Sequence, residues 1–119
     1  MNHPEVDIVA IRQKLLALEV SLREESIESA SSRETVVLDQ TSVGRLSRMD
    51  ALQGQAMAKA EEQRRQMTLK RISGALQRIE QENFGECIEC GEWIGAKRLT
   101  WDPLVLKCIE CAEQALRPQ

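Results

Sequence analysis

The sequence predicts a mostly α protein: a long antiparallel helical hairpin, or coiled coil, carrying a small C-terminal four-cysteine finger and a short terminal helix. Three observations predict it. Apolar residues recur at spacings of three and four in two long segments, all four cysteines lie between positions 87 and 111, and aromatic residues are nearly absent. The 119 residues contain Phe84, Trp93 and Trp101 and no tyrosine, 3% aromatic against 29% charged. An ordinary core of this size leans on several buried rings, whereas helices that share a narrow seam do not need them.

The first helix is expected from Glu5 to about Ser29. Ile8, Ile11, Leu15, Leu18 and Leu22 form a heptad seam that calls for a partner helix. Pro4 suits the entry to that helix, where its missing N–H costs little. Glu25 stands at the next seam position, and Ser26, Ser29, Ser31 and Ser32 weaken continuation. A connector near residues 31–43 follows, in which Thr35 to Leu38 favours extended backbone and Asp39, Thr41 or Ser42 offers a cap. The second helix is expected from about Ser42 to Asn83, roughly 60 Å at 1.5 Å per residue. Leu69, Ile72, Leu76 and Ile79 repeat the seam and should pack on the first stripe. The distal half is poorer in large side chains, with Ala51, Ala56, Ala58 and Ala60 around Gly54, so it buries less per turn. Gly74 reads as a costly helix residue or a point of close helix approach. The hairpin thus occupies residues 1–83, and the finger with its terminal helix residues 84–119.

Cys87 and Cys90 form one C-x2-C pair, and Cys108 and Cys111 a second seventeen residues later. Two such pairs close a tetrahedral shell around one zinc ion and leave no position for water, so the metal is expected to be structural. An iron site uses the same ligands, a thioredoxin-like pair needs a βαβ unit that is absent, and disulfides need an oxidising compartment. Between the pairs, a short hairpin is expected to turn Trp93, Ile94, Leu99 and Leu106 inward. A core this small relies on its metal. Ala112 to Leu116 should form a short helix that packs back on the hairpin base.

Several function classes are disfavoured. The single histidine, His3, sits at an end expected to fray, which removes histidine-dependent nucleophilic catalysis, and no glycine-rich phosphate loop is present. The chain is not expected to be an enzyme. Net charge is −3, and between Cys87 and Cys111 three cations face four carboxylates, so direct DNA binding by the finger is not expected. No apolar run approaches membrane-spanning length and the N-terminus lacks a signal pattern, so a cytoplasmic location is expected.

The run Phe84-Gly85-Glu86-Cys87-x2-Cys90-Gly91-x2-Ile94-x3-Arg98-Leu99-x3-Pro103-x4-Cys108-x2-Cys111 resembles the zinc finger of the DksA/TraR family of bacterial transcription regulators. The preceding helical hairpin matches that family in order and approximate size. The resemblance implies a protein that binds bacterial RNA polymerase, places its coiled coil in the secondary channel and modulates transcription initiation, in the best-known members together with ppGpp. The family's acidic D-x-x-D-x-A tip motif falls, without gaps, on Gly44, Ser47 and Met49, so it is not preserved. Asp39 and Asp50 flank the tip as alternative carboxylates, with a helix cap and a first-turn dipole partner as their plainer roles, and Arg45 and Arg48 make it more basic. In the same register the candidate ppGpp contacts are Arg64 and Arg71, against a reading in which Arg64, Arg65, Lys70, Arg71 and Arg78 with Glu61, Glu62, Glu80 and Glu82 form a solvated helix surface. The alternative function is a zinc-stabilised coiled-coil module that binds another protein or itself.

Overall fold

The computed structural model describes residues 1–34 and 45–116, with helices α1 (Ile8–Glu28), α2 (Arg45–Glu80), α3 (Ala96–Trp101) and α4 (Ile109–Leu116), and a 3-10 turn over Ala30–Arg33. The described residues contain no strand, only one antiparallel bridge between Glu86 and Trp93. The mostly α architecture expected from the sequence is present, a helical hairpin with a four-cysteine finger and a short terminal helix. The connector from residue 35 to 44 lies outside the described residues.

The chain divides into two compact units. One comprises Met1–Leu18 with Lys70–Gln119, the other Glu19–Leu69. The finger therefore clusters with segments of both long helices and with the N-terminus.

In the first unit α1 begins three residues later than expected because Asp7 caps it: Asp7 Oδ1 accepts the amide of Ala10 at 3.1 Å. The buried side chains are Ile11 and Leu15 from α1, Ile72, Ala75 and Ile79 from α2, and Phe84, Cys87, Ile94 and Leu99 beyond it. Ala75 takes the inner position expected for Leu76, which is only half-buried, and Leu18 is 37% exposed. The seam is thus narrower in large side chains than its heptad spacing implies. Gly74 is not a helix contact, since a Cβ there would meet only the Arg78 guanidinium, at 3.4 Å.

α2 stops at Glu80 and not at Asn83. The amides of Glu82 and Asn83 donate back to the carbonyls of Ile79 (3.2 Å) and Arg78 (3.0 Å), the paired closure of a Schellman motif. Its left-handed position falls on Glu82, with φ of 60°, where glycine is the usual occupant. Glu82→Gly should therefore raise stability, by about 1 kcal/mol, read as a higher midpoint in thermal denaturation; a lower midpoint would contradict this account of the helix end.

In the second unit Leu69 is the one buried apolar side chain among the described residues, and a polar cluster occupies the place of a core. Glu62, its side chain 15% exposed, pairs with Arg33 at 2.8 Å and Arg65 at 3.1 Å. Its other oxygen accepts from Ser26 (2.6 Å) and Gln66 (2.7 Å), while Arg33 and Arg65 both donate to Ser29 Oγ at 2.7 and 2.8 Å. Glu62 and Arg65 are thus not part of a solvated surface. The Ser26 hydroxyl foremost, then Gln66 and the guanidinium groups, hold the Glu62 carboxyl at about 2, below its ordinary 4.5. A carboxyl whose pKa falls on folding adds stability that is complete above 4.5 and is lost as pH drops toward 2. Acid titration of the melting midpoint should show that loss in the native chain and a smaller loss in Glu62→Gln.

Candidate metal centre

The centre lies in the first unit and is built from two loops. In the first, the Cys87 amide donates to Glu92 O at 2.8 Å and the Gly91 amide to Cys87 O at 3.0 Å, with Gly91 in the left-handed region at φ 77°. That turn brings Cys90 back beside Cys87. In the second, Cys108 immediately precedes α4, its sulfur accepts the Cys111 amide at 3.5 Å, and its carbonyl accepts Ala112 N at 3.0 Å. The Ile88 amide joins the loops by donating to Leu106 O at 3.0 Å, and Lys107 pairs with Glu89 at 3.2 Å.

The four sulfurs all lie within 4.8 Å of one another, with Cys90 and Cys108 3.8 Å apart. A tetrahedron with metal–sulfur bonds of about 2.3 Å has edges of about 3.8 Å, whereas a disulfide requires about 2.05 Å. The donor set therefore fits one four-coordinate ion, and four thiolates at this spacing are the ligands zinc takes in closed structural sites. Bound there, the ion would cross-link the loops, and no ligand position would remain for chemistry.

The sulfurs resist joint ionisation without a cation. Burial pushes the Cys87 thiol up, but amides of Cys90, Cys108 and Glu89 outweigh it and bring it down to about 6. Contact with Cys108, then burial and the other two sulfurs, drives Cys111 well above the ordinary thiol range. At Cys90 the Glu92 amide pulls downward, yet Cys87, burial and Cys108 prevail and raise it. Metal binding must expel the remaining protons, so affinity falls with pH.

The segment between the loops is not the expected hairpin. It forms the single Glu86–Trp93 bridge, after which Ile94 is buried, and then α3, which buries Leu99, while Trp93 stays 39% exposed and Leu106 half-buried. α4 begins at Ile109, earlier than expected, and none of its residues is buried.

His3, expected to fray, is buried. Its amide donates to Phe84 O at 2.9 Å, Nε2 lies 2.7 Å from Ile94 O and Nδ1 accepts the Glu5 amide at 3.1 Å, which assigns the Nε2–H tautomer. The ring lies against Trp93 with centroids 5.0 Å apart. Asn2 donates to Ile79 O and accepts from the Phe84 amide, at 3.1 and 3.0 Å. A Cβ on Gly85, at φ 97°, would lie 2.6 Å from His3 Cβ, so only glycine admits this strap. The one trace in the sequence is Gly85 itself, between Phe84 and the first cysteine.

Of the other candidate residues, Asp39 lies outside the described residues and Arg45 opens α2 with its side chain not described. Arg48 is half-buried, and Asp50, Arg64 and Arg71 are exposed. Arg64 belongs to the second unit and Arg71 to the first, where Arg71 borders a groove of about 340 Å³ shared with Asp102 and Lys107.

A helical protein closed by a four-thiolate metal centre is the class that fold and site define. Relatives identify it further. Over 48 residues in the C-terminal zinc-finger region the chain is 40% identical to the RNA polymerase-binding transcription factor DksA of Salmonella typhimurium and of Escherichia coli, a match covering 40% of this chain and 32% of each relative. An uncharacterized Aquifex aeolicus protein is 42% identical over 50 residues, which is 42% of this chain and 34% of that one. The matched stretch thus spans about a third of the length of these curated relatives. DksA2 from Pseudomonas aeruginosa shares the fold, with a TM-score of 0.70 and 23% identity over 91% of this chain and 81% of its own. No family model matches the chain. The finger is thus similar to that of DksA, and the fold is the one DksA2 has.

The expected measurement is one zinc per chain in elemental analysis, with proton release on binding and a metal affinity that weakens as pH falls. Cys90→Ser should lose the metal and, because such binding is worth about 10 to 16 kcal/mol in zinc-finger peptides, strongly lower the melting midpoint. An unchanged midpoint after chelation would refute the structural role.

Proposed function

We propose that the protein binds bacterial RNA polymerase and modulates transcription initiation without being an enzyme, the zinc serving as a structural cross-link. The observation that carries this reading is the four-cysteine finger, 40% identical to that of a factor named for polymerase binding, on a fold shared with DksA2. On this reading the helical hairpin enters the secondary channel, as the family resemblance implies, and the protein works in the cytoplasm. No described helix is long and apolar enough to cross a membrane.

Arg45, Arg48 and Asp50, with Asp39, are the proposed contacts near the polymerase active site. Arg64 and Arg71 are the proposed contacts for ppGpp, supported by their exposure and the affinity of guanidinium for phosphate. Asp102 beside Arg71 opposes a polyphosphate, so the ligand effect should be weak. Exposed Met49, Leu52 and Met57 on α2 favour the alternative, a module that pairs with another protein or with itself.

Titration of the labelled chain with core polymerase should give saturable binding, and in vitro transcription should change with the native chain. Arg48→Glu combined with Asp50→Lys should reduce the transcriptional effect at least tenfold. No binding at low salt would defeat the proposal, and a concentration-dependent dimer that masks these residues would favour the alternative.

A further inference from the structure

Helix α1 is apolar on two opposite faces. One carries Ile11 and Leu15, both buried. The other carries Val9, Leu16, Val20 and Ile27, which are 67%, 40%, 55% and 76% exposed. At about 100° per residue these four fall within an arc of about 40°, on the far side of the helix from Ile11 and Leu15. Their spacing of seven, four and seven residues, with Gln13 and Arg23 at the intermediate positions, is a second heptad seam. From Val9 to Ile27 it runs about five turns, roughly 27 Å, along one continuous helix. A single exposed valine needs no partner, whereas an apolar stripe the length of a helix does.

The stripe is complementary to itself. Set antiparallel against a second copy, about a two-fold axis level with Leu18, Leu16 meets Val20, Val9 meets Ile27 and Gln13 meets Arg23, each contact being made twice. Apolar residues then face apolar residues, and the two polar positions face each other. A parallel pairing would instead set Arg23 against Arg23 across the seam. The N-terminal end also has room for a partner's side chain. Ile8, Val9, Leu16 and Ile79, with Arg12, Gln13 and Glu80, line a mainly apolar groove of about 420 Å³, and Ile27 of the second copy comes level with it. Charge agrees with this orientation, since the turn of Arg12 comes level with the turn of Glu24 of the second copy at both ends of the pair. Arg12 and Arg23 balance Glu19 and Glu24 along the stripe, so its flanks favour neither an acidic nor a basic partner over a second copy.

We propose that the outer face of α1 is a self-association surface, which pairs with the same face of a second copy in an antiparallel, two-fold symmetric contact centred level with Leu18. The contact lies outside the polymerase reading and uses none of the α2 residues on which the alternative to that reading rests. One helix face against another of this length stands at the low end of interface sizes, and Gln13 and Arg23 place polar groups in the seam. The dimer is therefore weak and forms at micromolar concentrations and above.

Sedimentation equilibrium of the full, zinc-loaded chain tests this. The weight-average mass should rise from that of one chain toward that of two between about 1 and about 500 µM. Val20→Glu, which sets a carboxylate against Leu16 of the second copy, should weaken dimerisation at least tenfold. Zinc content and the melting midpoint of the dilute monomer should not change, because Val20 is exposed there. Val9→Lys alone should weaken the dimer several-fold, and Val9→Lys combined with Ile27→Glu should restore it, since only the antiparallel register brings positions 9 and 27 together. A native chain that stays monomeric throughout overturns the proposal, as does a dimer that Val20→Glu leaves intact. A dimer lost instead in Met57→Glu assigns the contact to α2 and overturns it as well. Absence of rescue in the double variant, with Val9→Lys impaired, overturns the antiparallel contact.

Discussion

Four sulfurs within 4.8 Å cannot share one small volume as anions unless a cation lies among them, and that constraint governs the first unit. The thiols divide against each other without one, Cys87 acidic and Cys90 and Cys111 reluctant to ionise. A closed ion resolves the conflict by joining two loops that have little else in common: one backbone hydrogen bond from Ile88 to Leu106 and one exposed pair between Lys107 and Glu89. Everything packed on those loops, including Ile94, Leu99 and the buried ring of Phe84, depends on their being held together. His3 and Asn2 extend the same linkage to the end of α2, since their bonds reach Ile94 on one side and Ile79 and Phe84 on the other.

The second unit is stabilised by different physics. Stepping back from Leu69 by four and then three reaches Arg65 and Glu62, while on α1 the strict step from Leu22 falls on exposed Glu25 and the half-buried residues are Ser26, one position further on, and Ser29. The seam of α2 therefore continues in polar side chains, and α1 meets it with serines, the first shifted by one residue. A cluster of ion pairs and hydroxyls stabilises less than leucines of the same volume would, because desolvating the charges offsets much of their attraction. It is also intolerant of slippage: a one-residue shift would leave Glu62 without Ser26 and Arg33, whereas leucines accept many alternative packings. Register, more than stability, is what such a cluster contributes.

This contrast explains how much was legible in the sequence. The helices, the seam at Ile11, Leu15, Ile72 and Ile79 and the four ligands follow from periodicity and spacing, which are local properties of the chain. Glu62 and Arg65 look like surface residues because charge in isolation signals solvent, and only the continued three-four step marks them as interior. The strap left no trace in the sequence beyond Gly85. His3 and Phe84 are far apart in the chain, and no composition rule links a terminal histidine to the carbonyl of Ile94. The end of α2 differs from the expected Asn83 for a related reason: the left-handed residue that closes the helix is Glu82, which Gln81 and Asn83 give no hint of. α3 was missed because Trp93 and Ile94 suggested a strand, whereas only the Glu86–Trp93 bridge forms before the helix begins.

A closed metal has a consequence for where function can reside. With all four positions taken by protein sulfur, the ion can neither polarise a substrate nor activate water. Whatever the chain does must be done by its outer surfaces, and the metal's part is to hold them in a fixed arrangement. The composition of those surfaces is therefore more informative than the centre itself. Along α2 the exposed side chains include Met49, Met57 and Met67 beside Asp50, Arg64 and Arg71, and on the finger the most exposed large apolar residue is Trp101. Affinity and effect then become separable properties, the first set by the sum of exposed anchors and the second by the few groups that approach the partner's reacting atoms.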